Sequence, residues 1–229
     1  MTGPLSGGAP VALLLDIDGT LVDSREAVET TWRRVAAEFG ADPEPILTVC
    51  HGRRDDDVIP EFFAPAEAVA VAARVTELET AYLSLVRPVP GADEVLARWR
   101  PRPWAAVTSG PRSLMRGRLR AAGLPVPPVL VTAEDVTRGK PDPEGFLVAA
   151  AALGVAPSDC VIVEDSPAGV AAGKAAGGYV VGIATTHGIH DLAGADEVVA
   201  GWHELGWLRS RSVRPSAPSG GRRRPPAPR

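Results

Sequence analysis

Cysteine is close to absent from the sequence. Cys50 and Cys160 are the only two, they show no metal-ligand spacing, and a reduced, cytoplasmic compartment is the expectation. Long apolar runs are missing as well. Val11 to Leu15, Val129 to Val131 and Val161 to Val163 stop far short of the roughly 20 residues that a membrane span needs, so no membrane association is expected. The opening MTGPLSGGAP has no basic cluster followed by an apolar stretch, so it reads as a flexible lead-in over residues 1 to 10 rather than a signal peptide. Acidic residues disappear after Glu204, whereas seven arginines follow it. Removing those seven leaves 17 basic against 28 acidic residues, a formal charge of −11 on the body of the chain. So acidic a body argues against nucleic acid as the main partner, because a phosphate backbone requires a basic surface. The last stretch, 209 to 229, is Arg/Pro-rich with little to bury, and reads as a disordered tail.

What remains is ordinary globular material. Hydrophobic residues make up 45% and charged residues 23%, which excludes general disorder, and 229 residues suffice for one core plus a small accessory domain. Val11 to Leu15 is a short apolar run ending in Asp16, the pattern of a buried parallel strand. Trp104 to Val107, Val129 to Val131 and Cys160 to Val163 repeat it, ending in Thr108-Ser109, Thr132 and Glu164-Asp165, and Tyr179 to Ile183 adds a fifth. Between them lie helix-like stretches over Ala92 to Arg100, Ser113 to Ala122, Pro143 to Leu153 and Pro167 to Ala176. The alternation predicts an α/β fold with a doubly wound, Rossmann-like parallel sheet over 11–24 and 88–208. Residues 25–87 break the rhythm. They hold long helical candidates, Glu26 to Phe39 and Pro65 to Val86, and no convincing strand, so an all-helical domain inserted after the first strand is expected.

Ligands in an open parallel sheet bind outside the carboxyl ends of its strands, so Asp16, Asp18, Thr108, Ser109, Glu164 and Asp165 should converge. Asp16 and Asp18 stand two residues apart with Gly19 next to permit a turn. Like charges that close need a cation or a shared proton, and Glu164-Asp165 brings more acid to the same edge, which favours a bound cation such as magnesium (Mg2+). Alone, either aspartate would serve equally as a turn or helix cap. Lys140 is one of two lysines against 22 arginines, which suggests that a compact point charge is wanted there. No GxxxxGK[ST] run surrounds it, so Gly139-Lys140 is not a P-loop. Gly169, Gly173 and Gly177 recur every four residues on a candidate helix and predict close helix–sheet packing.

Asp16-Ile17-Asp18-Gly19-Thr20, Thr108, Lys140 and Glu164-Asp165 resemble, in order, the four signatures of the haloacid dehalogenase-like hydrolase superfamily, most of whose members are phosphatases. The resemblance spans Val11 to about Val199, and the helical insertion is similar to that superfamily's first type of cap. It implies Asp16 as the nucleophile, Asp18 as general acid and base, and Thr108, Ser109 and Lys140 as holders of the phosphoryl group. It also implies magnesium held by Asp16, the Asp18 carbonyl and Asp165, with Glu164 behind them, and Thr20 in a flap. Val131-Thr132-Ala133-Glu134-Asp135-Val136, Glu164 to Val170 and Gly182 to Thr186 resemble the glycerol-phosphate and 2-deoxyglucose-6-phosphate phosphatase group. This points to a small sugar or polyol phosphate as substrate and to a monomer as the default state.

His51-Gly52-Arg53-Arg54 is similar to that group's substrate loop, with His51 and Arg54 as substrate contacts; Arg54 would clamp a hydroxyl or a second anion, or else stay solvated. A sugar-phosphate mutase of the beta-phosphoglucomutase type is the nearest alternative, but such mutases carry a hinge histidine where this chain reads Ser24-Arg25-Glu26-Ala27-Val28-Glu29. An idle binding module on the same fold is the other. His187 and His190 read as exposed loop residues, and Trp32, Trp99, Trp104, Trp202 and Trp207 as packing residues, with Trp32 a candidate for the cap interface.

Overall fold

The computed structural model describes residues 10 to 209. The expected lead-in, apart from buried Pro10, and the expected tail, apart from Arg209, lie outside the described residues. The strands run in chain order as β1 (Ala12–Leu15), β2 (Val22–Asp23), β3 (Arg87–Pro88), β4 (Trp104–Val107), β5 (Val129–Val131), β6 (Cys160–Glu164), β7 (Tyr179–Ile183) and β8 (Glu197–Val199). Six of them form one sheet in the order β5-β4-β1-β6-β7-β8, all neighbours parallel. The chain steps outward from β1 through β4 to β5, then crosses back to β6 on the other side of β1. That reversal makes a crevice at the carboxyl end of β1, where Asp16 follows.

Side chains alternate across the sheet. Leu13 and Leu15 face one cluster with Val161 and Val163; Ala12 and Leu14 face the other with Ala105 and Ile162. The helices are α1 (Arg25–Phe39), α2 (Pro43–Leu47), α3 (Asp55–Phe62), α4 (Ala68–Ala81), α5 (Ala92–Trp99), α6 (Arg112–Ala121), α7 (Glu144–Leu153) and α8 (Pro167–Ala176). Val95, Leu96 and Trp99 of α5, with Met115 and Leu119 of α6, fill the first cluster; Phe146 and Ala149 of α7, with Val170 and Ala172 of α8, fill the second. The five expected strands and four expected core helices all appear, with ends shifted by a residue or so. Strand β8 was not foreseen: its three residues are too short a run to show a period.

Helix α8 matches its expected span. Ser166 caps it, accepting from the Gly169 N–H at 3.1 Å, Pro167 opens its first turn, and Gly177 ends it in a left-handed conformation at φ 86°. Gly173 permits the close packing expected of the glycine stripe, since a Cβ there would lie 2.9 Å from Val180 Cγ2 and 3.1 Å from Ile162 Cγ2.

The strands β2 and β3 pair antiparallel, Val22 with Pro88 and Asp23 with Arg87, and bring the entry and exit of the helical insertion together. Between them α1 to α4 and a 3-10 turn at Tyr82–Leu85 enclose their own apolar cluster around Trp32, Val35, Ile59, Phe63 and Val75. Trp32 stacks on Phe63 with ring centroids 6.4 Å apart. Helices α2 and α3 were not foreseen; Pro43, Pro45 and Pro60 fall within them, and proline usually interrupts a helix. Pro43 instead occupies the first turn of α2, where Asp42 accepts from the Glu44 N–H at 3.1 Å and no N–H is wasted. The second long candidate, Pro65 to Val86, is shortened to α4 and finishes in the 3-10 turn.

Replacing Gly173 with Ala should force the α8–sheet contact apart and destabilise the fold by about 1–3 kcal/mol, the usual penalty for overpacking. Urea unfolding of the two proteins measures it; an unchanged midpoint would show that the glycine stripe does not set the helix–sheet distance.

Candidate active site

The register between β1 and β6 pairs Leu15 with Val163, so Asp16 and Glu164 emerge side by side, with Asp165 next in line. The Asp16 N–H donates to the Val163 carbonyl at 3.0 Å, extending the ladder one residue past the strand. Lys140 arrives from the loop before α7. Its Nζ donates to Asp16 Oδ1 at 2.5 Å and also to Glu164 Oε1. The loop is held in place by Glu144, which accepts from the Thr137 N–H at 3.0 Å and the Arg138 N–H at 2.8 Å.

Glu164 is fully buried. Its second oxygen accepts from the Asp165 N–H and the Ser166 N–H, both at 3.0 Å, and from the Ser166 hydroxyl at 2.9 Å. The carboxylate occupies the space that a Cβ at Gly169 would need, and the Asp165 carboxylate likewise occupies the space beside Gly19. Gly19 itself sits at φ 82°, a conformation that favours glycine. Asp165 Oδ2 accepts from the Thr186 hydroxyl. His187 departs from the expectation of an exposed loop residue. It is half-buried, with Nδ1 3.0 Å from the Asp165 carbonyl and 2.9 Å from Thr186 Oγ1, while His190 is exposed as expected. The tripeptide Thr185-Thr186-His187 thus backs the acidic edge, its Thr185 hydroxyl donating to the Gly19 carbonyl.

Charge is unbalanced here. Burial raises the Asp16 carboxyl well above its ordinary value, Lys140 pulls it back, and Glu164 and Asp165 push it up again. Asp165 is pushed up to about 8, first by burial and then by Glu164. Lys140 is disfavoured by burial, yet Asp16 and Glu164 outweigh this and hold it firmly protonated. Three buried carboxylates therefore face one ammonium. An oxygen from each of Asp16, Glu164 and Asp165 lies within 4.8 Å of the others, an all-oxygen donor set that suits a hard divalent cation such as magnesium.

Asp18 lies beside this cluster. Its Oδ1 accepts from the Ser24 hydroxyl at 2.7 Å and pairs with Arg118 Nη1 at 2.7 Å. Thr108 follows β4 and is buried, its Oγ1 accepting from the Gly110 N–H at 3.1 Å. The Ser109 hydroxyl donates at 3.2 Å to the Gly52 carbonyl, which joins the sheet edge to the helical insertion. Thr20 is fully buried, and its carbonyl accepts from Trp202 Nε1 at 2.8 Å.

A cavity of about 360 Å³ opens between the sheet edge and the insertion, within the range of roughly 300–1,000 Å³ usual for small-molecule sites. Asp16, Asp18, Thr108 and Ser109 line it from one side, and His51 and Arg54 from the other. Lys140 lies off this cavity, in a small recess shared with Thr108, Ser109 and Arg54. All nine expected site residues therefore belong to one assembly. Burial lowers the His51 imidazole from its usual range. Trp32 also lines the cavity besides packing the insertion, in keeping with its expected place at the interface.

Three residues in this wall were missed. Arg118 of α6 is buried, with Nη1 on Asp18 and Nη2 on Glu79 of α4 at 2.7 Å, and Asp55 at the start of α3 stands nearby. A signal did exist. Arg118 falls three and four residues after Met115 and Leu114, and Glu79 four after Val75, so each charge sits in phase with an apolar stripe.

The chain is similar to known proteins. Residues 11–177 match the model of a family described as haloacid dehalogenase-like hydrolase. The chain is 43% identical over 175 residues to hexitol phosphatase A of Escherichia coli, covering 74% of this chain and 81% of that one. It is 36% identical over 207 residues to glycerol-1-phosphate phosphohydrolase 2 of Saccharomyces cerevisiae, covering 82% and 81%. Among solved structures, a beta-phosphoglucomutase of Clostridium difficile shares the fold with a TM-score of 0.76 at 24% identity, over 86% of this chain and 93% of that one. With its sheet order, its strand-end acids and these matches, the chain belongs to the haloacid dehalogenase-like hydrolase family.

Proposed function

We propose that this hydrolase is a magnesium-dependent phosphatase that cleaves small sugar or polyol phosphate monoesters through an aspartyl-phosphate on Asp16. The observation that carries the reading is the meeting of Asp16, Asp18, Lys140 and Asp165 at one strand edge beside the cavity. The Asp16 carboxylate attacks phosphorus while the ester P–O bond breaks, and Asp18 gives its proton to the departing alcohol oxygen. Asp18, now a carboxylate, then takes a proton from water. That water attacks phosphorus, the bond to Asp16 breaks, and inorganic phosphate leaves with Asp16 restored. Lys140, Thr108 and Ser109 hold the phosphoryl oxygens, and Glu164 keeps Lys140 aimed at them. Asp16, Asp165 and the Asp18 carbonyl would hold magnesium, whose chemistry is to neutralise the crowded carboxylates and the transferring phosphoryl charge.

The helical insertion, residues 25–87, acts as a cap over this edge and excludes bulk water; the Ser109–Gly52 bond and the Arg118–Glu79 pair support that reading. His51 and Arg54 contact substrate from the cap side. Water rather than a second sugar receives the phosphoryl group, because the hinge carries Ser24 on Asp18, and Arg25 on the Thr185 carbonyl, where mutases place a histidine. A monomer is the default state for such an enzyme, and two free buried cysteines suit a cytoplasmic setting. Among the described residues no helix is long and apolar enough to cross a membrane.

Phosphate release from polyol and sugar monophosphates should require magnesium, stop with a chelator and vanish in Asp16→Asn; turnover retained in that variant would sink the mechanism. The same screen should yield free phosphate and no isomerised sugar phosphate. Lys140→Met leaves the buried Asp16 carboxylate and Glu164 Oε1 without their cation and should cost about 3–5 kcal/mol of stability by urea unfolding. Magnesium, binding the native state alone, should restore part of it. Midpoints that do not respond to magnesium would argue against the carboxylate cluster as its site.

A further inference from the structure

The cavity wall facing away from Lys140 carries charge that the phosphoryl chemistry does not use. Lys140 and Arg54 share a recess with Thr108 and Ser109, and none of Asp55, Glu79 or Arg118 lines it. Those three line the larger cavity instead. Arg118 is 4% exposed and spends its two Nη groups on Asp18 and Glu79, while its buried Nε has no partner. Glu79 is almost as deeply buried and accepts from Arg118 at Oε1; among the described residues nothing donates to its Oε2 or to either oxygen of Asp55. Burial and the Glu79 charge push the Asp55 carboxyl up to about 7. A buried polar atom without a partner, as Arg118 Nε is, is rare in native folds and calls for a reason.

We propose that Asp55, Glu79 and Arg118 form a hydroxyl-recognition wall that admits phosphate monoesters of neutral, polyhydroxylated alcohols and rejects esters bearing a second anionic group. The proposal rests on the phosphatase reading and deepens it. A hydroxyl both donates and accepts, which matches free carboxylate oxygens set beside a free guanidinium N–H. A second phosphate or carboxylate at this wall would meet Asp18, Asp55 and Glu79, with Asp56 and Glu134 in the same cavity. Arg118 is already paired to Asp18 and Glu79, Arg53 to Glu61, and Arg54 also lines the recess beside Lys140, so the second anion would lose its hydration against a net negative lining. Arg118 has a second task. It comes from the core helix α6 and grips Glu79 of α4, so the wall takes shape only when the insertion is seated on the sheet.

The test compares kcat/KM for a hexitol monophosphate, the corresponding hexitol bisphosphate and para-nitrophenyl phosphate, each with magnesium. The wild-type protein should prefer the hexitol monophosphate over the bisphosphate by about a hundredfold or more, the scale at which a buried polar site rejects a mismatched group. Asp55→Asn and Glu79→Gln keep shape and remove charge; each should shrink that preference by about tenfold, raising KM for the monophosphate more than it lowers kcat. Asp55 makes no side-chain hydrogen bond within the fold, so its variant keeps the question answerable if Glu79→Gln fails to fold. A wild-type protein that takes the bisphosphate as readily, or an Asp55→Asn variant with an unmoved preference, overturns the wall while aryl phosphate hydrolysis leaves the phosphatase reading standing. Absence of hydrolysis of all three esters by the wild-type protein overturns both.

Discussion

One buried ammonium holds the site together. Lys140 Nζ touches Asp16 and Glu164 in a buried setting, and each of the three groups would be costly to bury alone. The backbone makes this arrangement possible. Parallel pairing of β1 with β6 delivers two acids to one edge, Gly169 leaves room for the Glu164 carboxylate, and three donors at 2.9–3.0 Å fix its second oxygen. Asp165 stays outside the lysine's reach and is tied to Thr186 instead. The surplus negative charge is therefore structural, built in by strand register, and it is what makes the edge suited to a cation and to the charge of a phosphoryl group.

A second charged contact, Arg118 with Glu79 and Asp18, links this edge to the helical insertion. It joins the proposed general acid to a helix of the insertion through a single side chain. Opening the insertion would separate a buried ion pair and the Ser109–Gly52 hydrogen bond together, so the closed arrangement is held by polar contacts as well as by apolar packing. Pro88 pairs with Val22 in the two-residue ladder that anchors both ends of the insertion, which confines any hinge to a narrow strip.

Much of this was legible in the sequence for a physical reason. Strands buried on both faces are written as unbroken apolar runs, so their polar ends stand out, and Asp16, Thr108, Glu164 and Asp165 all mark such ends. Lys140 was legible through its rarity among arginines, although only the fold shows that it reaches across to β1. Arg118, Glu79 and Asp55 were not read, because a charge on an apolar stripe resembles noise until its partner, distant in sequence, is known. His187 was misjudged for a related reason: nothing local announces that its ring meets the carbonyl of Asp165. Helices α2 and α3 are short and carry prolines: the first turn of α2 accepts Pro43, whereas Pro60 sits inside α3.

The central claim is that Asp16, with Lys140 and the neighbouring acids around it, takes the phosphoryl group covalently. The most direct measurement is acid quenching of the magnesium-loaded protein within the first turnovers on a reactive phosphate ester, followed by peptide mass mapping. A phosphoryl increment confined to the peptide bearing Asp16, and absent when the substrate is left out, is the predicted result. Turnover with no covalent increment, or an increment on a peptide that lacks Asp16, would contradict it.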